Sequence, residues 1–90
     1  MCDFEYDADN SQVNLDKHGI DFLKAQALWR DAQLLEIRAR SDEEPRYLAI
    51  GLIGLKHWSE VFTYRSGVIR LISVRRSPRS ELELYESERL

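Results

Sequence analysis

Five arginines, Arg65, Arg70, Arg75, Arg76 and Arg79, fall within fifteen residues, with no acid between the first and the last. Guanidinium keeps its charge and meets a phosphate through parallel N–H donors, so a row of arginines on a rigid element is a good cradle for a phosphodiester. Trp58, Phe62 and Tyr64 lie just upstream, and aromatic faces can stack unpaired bases. The bland alternative is that such arginines form a solvated face, with Glu60 simply pairing Arg75. Lys17-His18-Gly19 supplies a histidine, although cations ahead of a glycine stop are also what a helix end attracts. Trp29 and Trp58 are read as core.

Other chemistries lack their residues. Gly51 and Gly54 sit in a strand pattern without the Lys-Ser/Thr of a phosphate-binding loop. One cysteine, Cys2, and two isolated histidines, His18 and His57, give no metal-ligand spacing. No nucleophile-elbow motif is present. No metal and no cofactor are expected.

The elements that must position the arginines are legible in part. Asp3 to Tyr6 reads as a short strand. Asp9 with Gln12 resembles a capping box for a helix over 9–18, with Gly19 as its stop. Asp21 caps a second helix, whose buried stripe is Phe22, Ala25, Leu28 and Trp29. Residues 34–40 alternate as a strand, with Leu35, Ile37 and Ala39 on one side. Residues 41–45 form an acidic turn, and the almost wholly apolar run 46–55 suits a strand covered on both faces. Residues 58–65 and 68–75 flank Ser66-Gly67, a two-residue hairpin connection. Ser77 as cap and Pro78 in the first helical position open a last helix, buried through Leu82 and Tyr85.

The predicted fold is α+β: two N-terminal helices, a four-stranded antiparallel sheet with room for an extra N-terminal strand, and a C-terminal helix. With Ser66-Gly67 as the turn, Thr63 opposes Arg70, Phe62 opposes Leu71, Val61 opposes Ile72 and Glu60 opposes Ser73. Simple alternation then puts Arg65 and Arg70 on one face, and Arg75 with Glu60 on the other, with Trp58 opposite Arg75. That split works against a single arginine site unless a bulge or strong twist intervenes.

Length and charge bound the rest. Ninety residues allow one domain, 1–90, with one modest core. At 43% hydrophobic and 32% charged, the chain is globular rather than disordered. No apolar run approaches the ~18 residues of a membrane span, and the acidic start carries no basic-then-apolar leader. A lone Cys2, read as incidental, fits a reducing cytoplasm. The formal net charge of −3 hides an acidic first half, −6 over residues 1–45, and a basic second half, +3 over residues 46–90. Since a charge acts over about 8–10 Å at physiological salt, the mean says little about a local anion site.

Taken in order, Phe4-Glu5-Tyr6-Asp7, Asn14 with Lys17-His18-Gly19 and Phe22, Arg46 with Ile50-Gly51, Thr63 with Arg65, and the run 70–75 followed by Arg79, Glu81 and Tyr85 resemble the BrnT family of bacterial toxins. The resemblance runs from residue 4 to 86. It departs at Tyr6, where the family usually has Trp, over residues 56–60 and 77–78, and in a final helix less basic than many relatives'. The resemblance implies a RelE-like ribonuclease fold and a metal-independent endoribonuclease that inhibits translation and growth. It also implies neutralisation by a BrnA-like ribbon-helix-helix antitoxin and contact with operator DNA only through that antitoxin. A hetero-oligomer is expected, with two toxins and two antitoxins as one arrangement, and a cytoplasmic location.

Without a metal, such cleavage proceeds by attack of the 2′-hydroxyl on the adjacent phosphorus, and the enzyme must orient it, neutralise charge and move protons. Arginines suit the second task, which assigns Arg65, Arg70 and Arg75 to the phosphate. Histidine titrates near neutral pH, which assigns His18 to proton transfer, with Glu60 or Tyr64 able to share it. Lys17, Tyr64 and Arg79 are the expected RNA contacts. The alternative is a catalytically weak binding subunit of a DNA-binding antitoxin, acting in operon autoregulation. A third is an interaction domain whose arginines are surface.

Overall fold

Asp7, rather than Asp9, starts the first helix. Its carboxylate accepts the N–H groups of Asp9 (2.8 Å) and Asn10 (3.1 Å), so α1 runs Ala8–His18 with Asp9 already in its first turn. The computed structural model describes residues 3–40 and 44–87. Cys2 and most of the expected acidic turn over 41–45 lie outside them. A short strand β1 (Phe4–Glu5) precedes α1. The second helix is shorter than its apolar stripe suggests: α2 spans only Phe22–Ala25, capped by Asp21 onto Lys24 N–H at 2.8 Å, and tightens into a 3-10 segment, Gln26–Arg30.

Four strands follow, β2 (Leu35–Ala39), β3 (Arg46–Ile53), β4 (Lys56–Arg65) and β5 (Val68–Arg76), then α3 (Arg79–Ser87). The sheet has five strands in the order β1-β5-β4-β3-β2. Strands β2 to β5 form the expected antiparallel meander, while β1 adds to β5 in parallel, Phe4 beside Ile69. The β4–β5 connection is the expected two-residue turn, with Ser66 and Gly67 at φ 53° and 80°, the doubly positive pair of a type I′ hairpin. Pro78, not Ser77, is the residue whose carbonyl accepts the first bond of α3, from Leu82 N–H at 3.0 Å. The Ser77 hydroxyl is hydrogen-bonded instead to that of Ser59, 2.7 Å away.

Two cores form, one on each side of the sheet. Helices α1 and α2 cover one face, where Ile20, Phe22, Ala25 and Leu28 pack on Ala49, Trp58, Phe62, Ile69, Leu71 and Val74. Tyr85 of α3 packs on the other, against Leu48 and Ile50, with Leu35, Ile37, Leu52 and Val61 half-buried around it. These are the helical face and the α3 face. Asn14 fastens α1 to the edge of β5 beyond the reach of short β1. Its amide donates to the carbonyls of Ile20 and Val74, both 2.8 Å, and its oxygen accepts Val74 N–H at 3.1 Å. A buried side chain thus satisfies backbone groups that a longer edge strand would have satisfied.

Asp31 is the corresponding joint at the other end. Its carboxylate accepts Leu52 N–H (2.9 Å) and the Tyr85 hydroxyl (2.7 Å), tying the 3-10 segment to β3 and α3. Gly51 allows that approach: a Cβ there would lie 2.9 Å from Leu34 Cδ1, 3.1 Å from Leu28 Cδ2 and 3.2 Å from Asp31 Oδ2. Leu28 is fully buried and Asp31 is hydrogen-bonded, so neither yields freely. Gly51→Ala is therefore expected to cost about 1–2 kcal/mol, read as a lower urea midpoint with an unchanged slope.

Candidate active site

Strand alternation alone would divide the arginines between two faces. The structure does not, because β5 holds one residue too many. Thr63 pairs with Arg70 and Phe62 with Leu71, as the turn dictates, but Val61 then pairs with Ser73 and leaves Ile72 without a partner. This β-bulge reverses the parity of everything after it. Arg75 comes to lie beside Ser59, and Arg76 beside Trp58. The expected opposition of Trp58 to Arg75 is corrected accordingly, and Arg65, Arg70 and Arg75 all belong to the α3 face.

Glu60 underpins the bulge. It is fully buried beside Val74 on the helical face, and its Oε2 accepts Ser73 N–H at 3.1 Å. Burial pushes the carboxyl up to about 9, against the opposing pull of hydrogen bonds from the backbone of Ser73 and Ile72. Glu60 is therefore neutral at pH 7, and its other oxygen, Oε1, has no hydrogen-bond partner. It does not pair with Arg75 and does not reach the arginine row, so neither expectation for it survives.

Along the row, Ser59 and Arg65 are six residues apart, which is about 20 Å at ~3.3 Å per residue. Three arginines over that span cannot share one phosphate. Arg75 sits at the α3 end, its Nη2 2.8 Å from Glu81 Oε2. Arg70 is 3.7 Å from Glu5 of β1, and Arg65 is exposed at the hairpin. Arg79, on α3 and almost fully exposed, pairs with Glu83 at 3.1 Å.

A histidine does share this face, but it is His57. It lies two residues along β4 from Ser59, with its ring edge-on to Tyr85 at 5.1 Å and Nε2 3.5 Å from Glu86. The side chain is 16% exposed, and its Nε2 is buried without a hydrogen-bond partner. Arg75, His57, Ser59, Ser73 and Tyr85 thus gather where α3 meets β4 and β5. Nothing in the sequence flagged His57 beyond its type. Its one signal is position: an odd-numbered β4 residue, in step with Ser59, Val61, Thr63 and Arg65.

The structure does not bring His18 to Arg65, Arg70 or Arg75. His18 ends α1 on the helical side, in a cleft with Trp58 and Arg76, and Lys17 is exposed beside it. Tyr64 also faces that side. It is 46% exposed, donates to Glu36 at 2.9 Å and packs edge-on against Tyr47 and Phe62. Trp58 and Phe62, offered as base-stacking surfaces, are 9% and 0% exposed and belong to the core. Thr63 is buried with its hydroxyl on the Pro45 carbonyl at 2.6 Å. Among the described residues no group of three His, Cys, Asp or Glu is placed to hold a metal ion, and no helix is long and apolar enough to cross a membrane.

Chemically, the α3 end of the arginine row offers the Arg75 guanidinium and the half-buried Ser73 hydroxyl next to the His57 ring, while the Ser59 and Tyr85 hydroxyls are buried and held by Ser77 and Asp31. Arg75 and Ser73 can neutralise and orient a phosphate. Against known families, residues 6–81 match the model described as the BrnT ribonuclease toxin of type II toxin-antitoxin systems. No curated protein matches the chain significantly.

Proposed function

The chain belongs to the BrnT family of ribonuclease toxins of type II toxin-antitoxin systems, and on that premise we propose that it cleaves RNA on the α3 face of its sheet. The bulge at Ile72 carries this reading, because it puts Arg65, Arg70 and Arg75 on one surface. Attack comes from the RNA's own 2′-hydroxyl. Arg75 takes the scissile phosphate and neutralises the charge that builds on its oxygens. As the P–O5′ bond breaks, His57, in step along β4, passes the 2′-hydroxyl proton to the departing 5′-oxygen, leaving a 2′,3′-cyclic phosphate. Arg70 and Arg65 hold the strand's neighbouring phosphates, with Arg79 of α3 beside its path. No step requires a metal. The helix-sheet-helix order of the chain supports a RelE-like relationship.

The family implies a protein antitoxin. A BrnA-like ribbon-helix-helix partner, carrying the DNA contact and assembling as two toxins with two antitoxins, fits a chain whose acidic first half would attract a basic segment. Cleavage of messages in the cytoplasm would then halt translation and growth.

Expression of the chain alone is expected to arrest growth, and co-expression with the neighbouring antitoxin to restore it. The purified chain is expected to cleave single-stranded RNA in EDTA, leaving 2′,3′-cyclic phosphate ends. RNA left intact in every buffer sinks the ribonuclease reading; cleavage that EDTA stops sinks the metal-independent step. One observation favours the alternative of a weakly catalytic binding subunit. Arg70, Arg75 and Arg79 each already hold a carboxylate of this chain.

A further inference from the structure

The helical face carries the opposite arrangement, cations with no carboxylate on them. Between the end of α1, the start of α2 and the β3–β4 turn lies a cleft of about 720 Å³. Four cationic or protonatable side chains line it from four separate elements: His18 of α1, Lys24 of α2, Lys56 of β4 and Arg76 of β5. No Asp or Glu lines it. Among the described residues none of the four makes an ion pair, whereas Arg70, Arg75 and Arg79 all do. In a chain of net charge −3, this convergence costs electrostatic energy that an anionic occupant would relieve.

The floor of the cleft narrows the choice of anion. Trp58 forms part of it and holds the Arg76 guanidinium over its ring, 5.4 Å from the centroid. Ile53 and a 97% exposed Leu55 form the rim at the β3–β4 turn. Cations around an apolar shelf suit a phosphate with a base attached better than a free inorganic ion.

Continuity with the arginine row narrows it further. Arg75 and Arg76 are consecutive, as are His57 and Lys56, and strand alternation sends one of each pair to each face. The same end of the sheet therefore presents Arg75 and His57 on one side and Arg76 and Lys56 on the other. A flexible strand bound at Arg75 has only the sheet's end to round before it meets Arg76.

We propose that this cleft binds the phosphodiester backbone of single-stranded RNA flanking the bond cut on the α3 face. The inference rests on the ribonuclease reading, and its test separates the two. The probe is a fluorescein-labelled single-stranded RNA of about 12 nucleotides, within the usual span of such sites, with 2′-O-methyl riboses so that it is not cleaved. Anisotropy is read against salt for the wild-type chain and for Lys24→Glu/Lys56→Glu, both exposed positions, with Lys24→Ala/Lys56→Ala as the milder pair.

The charge-reversed chain is expected to bind about ten-fold more weakly at 0.1 M salt. The slope of log K against log salt should shrink by about 1.4, two phosphates at ~0.7 each. On the cleavable RNA its KM rises with kcat within about two-fold. Unchanged affinity and slope in both pairs of variants overturn the proposal. Unchanged RNA binding with loss of the antitoxin overturns it too, and assigns the cleft to an acidic segment of that partner. Loss of slope in a chain that cleaves no RNA upholds the cleft while the ribonuclease reading falls.

Discussion

Arg75→Ala is expected to lower kcat for RNA cleavage by about 10²–10³-fold, the usual cost of losing one preorganised donor to a developing oxyanion. The effect should fall on kcat more than on KM, because the guanidinium contributes most where charge accumulates. Arg75 also holds Glu81 at 2.8 Å, so its removal loosens α3. The double variant Arg75→Ala/Glu81→Gln controls for that by removing the stranded carboxylate. Arg75→Lys keeps the charge without the planar fork and should recover only part of the rate. Arg65→Ala, at the far end of the row, should raise KM by a few-fold and leave kcat alone. A folded Arg75→Ala chain that cleaves at the wild-type rate would make Arg75 a strut for α3 and nothing more.

The second large effect concerns stability and has the unusual sign. Glu60 has its folded pKa raised from 4.5 to about 9, so the native state holds a proton that the unfolded chain releases. Such a group's contribution is fully present below pH 4.5 and is lost as pH rises towards 9, at ~1.4 kcal/mol per pH unit. Glu60→Gln cannot ionise and still accepts Ser73 N–H. It should therefore match the wild type near pH 4.5 and exceed it at pH 7 by about 3 kcal/mol, on the order of 10–20 °C in Tm for a domain this size. Thermal melts of the two chains from pH 5 to 8 measure the difference. A gap that stays constant with pH, or closes as pH rises, would show that Glu60 is ionised in the folded protein. Glu60→Ala should instead destabilise at every pH, since it leaves Ser73 N–H unpaired beside a cavity.

Much of the architecture was legible because its signals are local. Asp21 and Gly19 mark a helix start and stop, and Ser66-Gly67 needs only two positive φ angles to set the hairpin and its first pairs. Asp7 was missed because Asp9 lies two residues on with the same chemistry, and only the backbone path decides between them. The 3-10 tightening after Ala25 is equally invisible, since both helix types bury a similar stripe.

Most consequential was the bulge. Ile72 is an ordinary strand residue, and nothing within 70–76 marks it as unpaired. The available signal was across the sheet: a carboxylate, Glu60, inside a strand whose neighbours are buried. An acid there is costly unless backbone donors need it, and a bulge creates such donors. Missing it put Arg75 on the wrong face and left His18 as the only histidine worth assigning. With the bulge in place, His57 shares a face with Arg75 and His18 joins a different set of cations.

The parallel pairing of β1 with β5 and the grip of Asn14 on Val74 bear on how the chain is made. A ribosome delivers residues 4 to 18 first, yet their partners on the sheet include residues 69, 70 and 74, sixty or more positions later in synthesis. The meander from β2 to β5 can zip up through neighbouring pairs as it emerges, whereas the first strand and helix must wait for the last one. Arg70 and Arg75 arrive at that same late moment. An interrupted translation product ending before residue 70 would thus lack both the anchor of its own amino-terminal segment and the guanidinium groups assigned to cleavage. On the proposed assignment, premature termination would leave a chain without Arg70 and Arg75, so cleavage would be expected only once the message has been read almost to the end.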